Sequence, residues 1–443
     1  MSRSIARYAG LGLMLALFVL LVAACATPPP PPPTPATSAP QPPAATSAPA
    51  GGATKPIVIG FTASQTGNLN VESKKQTQGL QLWLDDVKKA GGIKLSDGTV
   101  VMPEIKFYDD ESKTDRVQAL YTKLINEDKV DFLISPYSSG LTKAAAVVSE
   151  QNDKVMLTTG AADDKTMEQG FKGTYQLYTP ASRYLAGAID LLKKLEPNAK
   201  KIAIVNEKDS FSTTVANEAK AYATAQGFEV VLAEGYDTGT TDFAPFINKI
   251  AAANPDAIMG GGHFQDGTTF AKQLYEKKVP VKMIALLVAP ADAKFTEIGA
   301  GAEGVIAPSQ WETPVTYSPE SAKAANLPWY GPTVSAFVDG YKAKYNEAPS
   351  YHAAGGYAAG LLLQKALEDA NSTDAAKVKA ALDTLNLLTF YGQIKFSTDA
   401  KTHGKQAGHT MVYIQWQKGA DGKLAKQIVF PLEAKTADAQ ARQ

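Results

Sequence analysis

Four histidines, a single cysteine and a scatter of acids are the raw material for chemistry in these 443 residues. His263, His352, His403 and His409 show neither His-Glu-x-x-His nor His-x-His spacing, so no two imidazoles share a helix face or strand edge, and no metal site is expected. Cys25 is the only cysteine, which excludes disulfides, cysteine-ligated zinc or iron–sulfur centres and a thiol nucleophile from everything downstream. There is no Gly-x-Ser-x-Gly elbow, and neither Gly404-Lys405 nor Gly422-Lys423 is followed by the Ser or Thr of a phosphate-binding loop. Gly299-Ala300-Gly301-Ala302-Glu303-Gly304 matches G-x-G-x-x-G, yet it follows a helical pattern and leads into a strand, the reverse of the dinucleotide order. Asp109-Asp110-Glu111 offers paired carboxylates, but at a strand end before a helix such acids cap or solvate a turn. The chain therefore reads as a non-enzyme without a cofactor.

The elements that would position any remaining site alternate between apolar runs and helical patterns, the signature of βαβ units and parallel sheets. Strands are expected at 57–61, 104–108, 130–134 and 155–157, with one helix marked by Leu80, Trp83, Leu84 and Val87 and another by Val117, Leu120, Tyr121 and Leu124. A second series opens after Pro197, with strands at 201–205, 230–232, 257–259, 283–287 and 304–306 and a helix carrying Phe243, Phe246, Ile247 and Ile250. Val334, Phe337, Val338, Tyr341 and Tyr345 mark a later helix, and strand-like pieces follow at 393–396 and 411–416. The fold class is α/β, two doubly wound parallel-sheet lobes joined by a hinge. Lobe 1 takes residues 55–197 and about 332–400 as returning helices; lobe 2 takes 198–331 and about 401–432; 433–443 is a flexible tail. Ligands of open parallel sheets sit at the carboxyl ends of the strands, so the cleft between two such lobes is the natural site.

Arg3 and Arg7, the apolar run 11–22 and Val22-Ala23-Ala24-Cys25 form the charged, apolar and small-residue regions of an export signal over 1–24. Small residues before a cysteine resemble the lipobox of bacterial lipoproteins, which implies a lipid on Cys25 and a chain anchored to the membrane outside the cytosol. Residues 26–54 carry no charge and are rich in Pro, Ala, Thr and Ser, including Pro28 to Pro33, so 25–54 is read as an extended tether. No later apolar run is long enough to cross a bilayer. Lys and Arg total 44 against 44 Asp and Glu, a balance that offers no field for nucleic acid.

Several segments, in this order, resemble the branched-chain amino acid type of extracytoplasmic solute-binding proteins of ABC importers, with the type I periplasmic-binding fold. They are Ile57-Val58-Ile59-Gly60-Phe61 with Thr66-Gly67, Gly91-Gly92-Ile93, Tyr108-Asp109-Asp110-Glu111, Ser135-Pro136-Tyr137-Ser138-Ser139, Thr158-Thr159-Gly160-Ala161 and Ala348-Pro349-Ser350-Tyr351. The resemblance implies a monomer that binds a small molecule by hinge closure and delivers it to ABC permease subunits; a ligand-sensing lipoprotein without transport, or a secreted hydrolase, would be the rival roles. It also implies ligand contacts from Tyr137, Ser138 and Ser139, from Gly160, Ala161 and Ala162, and, in the second lobe, from Phe211, His263, Phe264 and Val288, with Ser64, Gln65, Leu69 and Trp311 completing the wall. Phe211, Phe264 and Trp311 read equally well as core.

Two positions depart from the pattern of amino acid binders. Ala162 stands where a threonine is usual, and Val288 lies near the position of an acid that pairs with the ligand ammonium. A buried unpaired ammonium costs several kcal/mol. The expected ligand therefore carries a carboxylate or amide and needs no α-ammonium: an aromatic or aliphatic acid, an amide or a modified amino acid.

Overall fold

A computed structural model describes residues 53–442; Cys25, the leader 1–24 and all but the last residues of the proposed tether lie outside them. The chain opens with β1 (Thr54–Ala63), α1 (Asn70–Lys89), β2 (Ile93–Lys94), β3 (Val100–Asp109), α2 (Thr114–Asn126), β4 (Phe132–Ile134), α3 (Ser139–Gln151), β5 (Met156–Thr158), α4 (Asp164–Met167) and β6 (Thr174–Gln176). Their strands form a sheet of order β2-β3-β1-β4-β5-β6, parallel except at the short β2 edge. Helices cover both faces, so Ile57, Ile59 and Phe61 on one face of β1 and Gly60 and Thr62 on the other are all buried.

After α5 (Ala186–Leu195) a second set follows: β7 (Lys201–Glu207), α6 (Ser210–Ala225), β8 (Glu229–Tyr236), α7 (Ala244–Ala253), β9 (Ala257–Gly261), α8 (Phe264–Glu276), β10 (Met283–Leu286) and β11 (Val305–Ser309). The chain then supplies α9 (Pro319–Ala324), α10 (Val334–Tyr345), α11 (Tyr351–Ala370), α12 (Ala375–Asp383), a hairpin of β12 (Asn386–Thr389) and β13 (Gly392–Lys395), and finally β14 (Val412–Lys418) and β15 (Leu424–Phe430). The second sheet runs β15-β14-β11-β10-β9-β7-β8, with β14 and β15 antiparallel. The fold is mixed α/β, two lobes each built on a largely parallel sheet. No helix among the described residues is long and apolar enough to cross a membrane.

Returning helices complete the first lobe. Trp83 Nε1 donates to Gln364 of α11, Tyr341 of α10 to Gln78 and Tyr357 of α11 to Asp86. Helices α1 and α11 touch backbone to backbone: a Cβ on Gly79 would collide with the Ala353 carbonyl, and one on Gly356 with that of Gln76. The chain crosses between lobes three times, and the crossings are tied together. Thr179 N donates to Gln310 Oε1 at 2.9 Å, and the Thr179 hydroxyl lies 2.9 Å from His409 Nδ1.

The segment after Leu432, expected to be loose, runs against the second sheet. Buried Gln415 and Gln417 need acceptors, and their Nε2 atoms donate to the carbonyls of Gln440 and Asp438, each at 2.7 Å.

Candidate functional site

Each sheet changes winding direction at one place. In the first sheet β3 and β4 flank β1, and in the second β9 and β8 flank β7. Loops leaving the carboxyl ends of strands at such a switch point diverge and open a crevice. The two crevices face each other, and Tyr137, Ser138, Ser139, Gly160, Ala162, Tyr178, Tyr184, Phe211, His263, Val288 and Tyr351 line a tight space of about 10 Å³ between them, room for about one water molecule in this closed form.

The first-lobe wall is the loop after β4. Ser138 is the N-cap of α3 without a capping side-chain bond. Ser139 Oγ accepts from Ala162 N at 3.0 Å and Asp163 N at 3.2 Å, which welds the β4 and β5 loops and leaves its own proton to donate. Gly160 packs so closely that a Cβ there would press on Tyr137. The remaining surface is aromatic: Tyr184 meets Phe211 edge-on at 4.9 Å, Tyr178 meets Tyr351 at 5.7 Å, and Tyr137 meets His263 at 5.4 Å. Burial pushes the phenols of Tyr137, Tyr178 and Tyr351 well above their ordinary range, so they act as hydroxyl donors. The buried Tyr178 Oη has no hydrogen-bond partner among the described residues.

His263 is the one imidazole of that lining, which holds no carboxylate, lysine or arginine. Its Nδ1 lies 2.8 Å from Tyr137 Oη and 4.0 Å from Glu72 Oε1, and its Nε2 lies 3.7 Å from Asp209 Oδ1. Burial alone would lower its pKa; the hydrogen bond and charge of Asp209, then Glu207 and Glu72, outweigh it and push the imidazole up to about 10. Behind it burial pushes Glu72 and Glu207 up to about 7 each. Glu207, Asp209 and His263 bring donor atoms within 4.8 Å of one another and are the described residues that could hold a metal ion.

Contacts between the lobes ring this space. Glu72 Oε1 of α1 accepts from Phe264 N at 2.8 Å, and buried Asp163 accepts from Thr214 Oγ1 at 2.9 Å and from Ser210 Oγ. The lobes are closed on each other.

Of the residues expected from sequence, Tyr137, Ser138, Ser139, Gly160, Ala162, Phe211, His263 and Val288 come together around the cavity. Six do not line it. Ser64 Oγ donates to Asp110 Oδ1 at 2.6 Å, and both Ser64 and Gln65 face a separate groove along α1. Leu69 is buried in the core beneath α2 and α3, and Ala161 is buried with its carbonyl accepting from Gln176. Phe264 packs on the second-lobe core, and Trp311 is wholly buried, with Nε1 donating to Phe390 O at 2.9 Å. Sequence reasoning missed Tyr178, Tyr184 and Tyr351. The last stands in the quoted Ala348-Pro349-Ser350-Tyr351, where a tyrosine opening a helix was the available signal.

A family model described as periplasmic binding protein matches residues 56–423. The Leu/Ile/Val-binding protein homolog 7 of Brucella melitensis is 24% identical over 394 residues, covering 87% of this chain and 94% of the relative. Among solved structures, the branched-chain amino acid transporter substrate-binding protein LivJ of Streptococcus pneumoniae, in complex with isoleucine, is similar with a TM-score of 0.68, 23% identity and coverage of 85% and 100% of the two chains. A solute-binding protein of an ABC transporter from R. palustris, in complex with benzoate, has a TM-score of 0.69, 21% identity and coverage of 87% and 97%.

Proposed function

The chain belongs to the periplasmic binding protein family, a family of binding proteins rather than enzymes, and from that membership we propose that it is the ligand-capturing component of an ABC importer for aromatic carboxylates. The observation that carries this reading is the lining itself: five aromatic rings, one imidazole and no carboxylate. When the lobes part, the N-terminus of α3 and the Ser138 and Ser139 hydroxyls offer the donors that a ligand carboxylate needs. The rings of Tyr184, Phe211 and Tyr351 suit a flat apolar body, and Tyr178 Oη awaits a polar partner. With Val288 at the mouth of β10, nothing in the lining neutralises an α-ammonium. Closure sequesters the ligand, and the closed form docks on the permease; Cys25 would carry the lipid that keeps this monomer at the membrane.

Calorimetric titration of the purified chain with benzoate, 4-hydroxybenzoate and isoleucine tests the reading. An unpaired buried ammonium costs several kcal/mol, so isoleucine should bind at least about 100-fold more weakly than the better benzoate. Isoleucine binding as tight as either acid would overturn it. Replacing Cys25 by alanine should release the protein from membranes.

A further inference from the structure

We infer that Glu207, Asp209 and His263 form a divalent-metal site of the zinc type, built into the second lobe behind the ligand cavity. The switch point of the second sheet makes it. Strands β7 and β9 are neighbours, with Asn206 paired to Gly261, so the loops leaving them run side by side. Glu207 closes β7, Asp209 is the N-cap of α6 and His263 the N-cap of α8. All three therefore come from one rigid lobe and stay together whether the cleft is open or shut.

Three independent features point to a cation. Glu207 is 2% exposed, yet its Oε2 has no hydrogen-bond partner among the described residues. One oxygen of Asp209 caps α6 by accepting from Phe211 N at 2.8 Å and Ser212 N at 3.2 Å, while Oδ2 is likewise unpartnered. Two buried carboxylate oxygens without donors are expensive in a protein interior, and a metal ion satisfies both at once. Second, Gly262 has no side chain where one would strike Glu207 Oε2 and Asp266, so the backbone leaves that oxygen its room. Third, Glu207 and Asp209 bring oxygen donors, and His263 a nitrogen, to within 4.8 Å of one another, a spacing that one ion can bridge.

The imidazole decides which cation. A metal ion displaces the Nε2 proton and takes the lone pair, which an organic ammonium does not, and neither Glu207 nor Asp209 lines the ligand cavity. Two carboxylates and one imidazole are a zinc-type donor set, leaving a fourth position for water. With Nε2 on the metal, Nδ1 would keep its N–H and donate to Tyr137 Oη, 2.8 Å away, the outer-shell contact that ligating histidines use. The assignment stands whichever ligand fills the cavity.

Zn²⁺ titrated by calorimetry into the chelator-stripped chain tests it. We expect one saturable equivalent with micromolar or tighter affinity, and a rise in Tm on saturation. Glu207→Gln, nearly isosteric, should weaken binding at least about tenfold; Asp209→Asn, which keeps an oxygen to cap α6, should do the same and serves if the first variant fails to fold. Asp383→Asn, which breaks the partly exposed His403 pair instead, should leave the affinity within about twofold. No saturable binding, undiminished binding in folded Glu207→Gln and Asp209→Asn, or loss in Asp383→Asn would each overturn the site.

Discussion

At the scale of single residues, Val288 sets what the cavity refuses. Val288→Glu would place a carboxylate in the lining, and it should raise affinity for isoleucine while weakening benzoate at least about tenfold, read by calorimetry, because a like charge then faces the ligand acid. Tyr178→Phe removes an unpartnered buried hydroxyl, so the ligand-free protein should gain up to about 1 kcal/mol of stability in denaturant titration, while a hydroxybenzoate that bonds the phenol loses several-fold in affinity. His409 is buried in the inter-lobe crossing, and burial pushes its pKa down to about 4 despite the Tyr391 carbonyl. In the unfolded chain it titrates near 6.5. Between those values the unfolded state binds a proton that the native state refuses, so stability is full above about pH 6.5 and falls as pH drops toward 4, by roughly 3 kcal/mol. Urea unfolding at pH 7.5 and 4.5 should show a pH dependence smaller by about that amount in His409→Gln. Sequence made Ser138, Ser139 and Val288 legible because they follow strand ends in a recognisable order. It misplaced Ser64 and Trp311, since a polar residue in a cleft loop and a tryptophan after a strand look the same whether they face a ligand or, as here, Asp110 and the Phe390 carbonyl. The metal-type trio was invisible for a related reason: Glu207 and Asp209 lie far from His263 in sequence and meet only because β7 and β9 are neighbours.

At the scale of elements, the contact of α1 with α11 holds the first lobe together. Gly360 lies against the Trp83 ring, where a Cβ would overlap the indole. Gly360→Leu should destabilise by roughly 3 kcal/mol or more in denaturant titration, because neither backbone can retreat from its sheet. The strands were readable where β-branched runs mark them, and α1, α2 and α7 where apolar residues recur at helical spacing. Helix α11 could be read as a helix, but its alanine and glycine run named no partner: Gln364 meets Trp83 across 281 residues of sequence. Strand β6, Thr-Tyr-Gln, is too short and polar to announce itself, and β15 is an edge strand buried only at Ile428 and Val429.

At the scale of the whole molecule, closure rests on a few polar bonds from one lobe to the other. Asp163→Asn keeps an oxygen to cap α4 for Lys165 N but loses the charge that accepts from Ser210 and Thr214 across the cleft, and ligand release should quicken about tenfold or more in stopped-flow displacement with association little changed. The paired lobes and the cleft could be foreseen from the two series of alternating elements; the bonds that latch them could not, because each joins loops from different sheets. The three tied crossings at Thr179, Gln310 and His409 have a further consequence, in time rather than space. As the chain is synthesised, β1 to β6 emerge first, yet α10 and α11, which cover them, come only after the whole parallel core of the second sheet. Neither lobe can finish before the other is under way, so a chain truncated near residue 330 should leave a first sheet without its cover, and the described body should unfold as one cooperative unit rather than lobe by lobe.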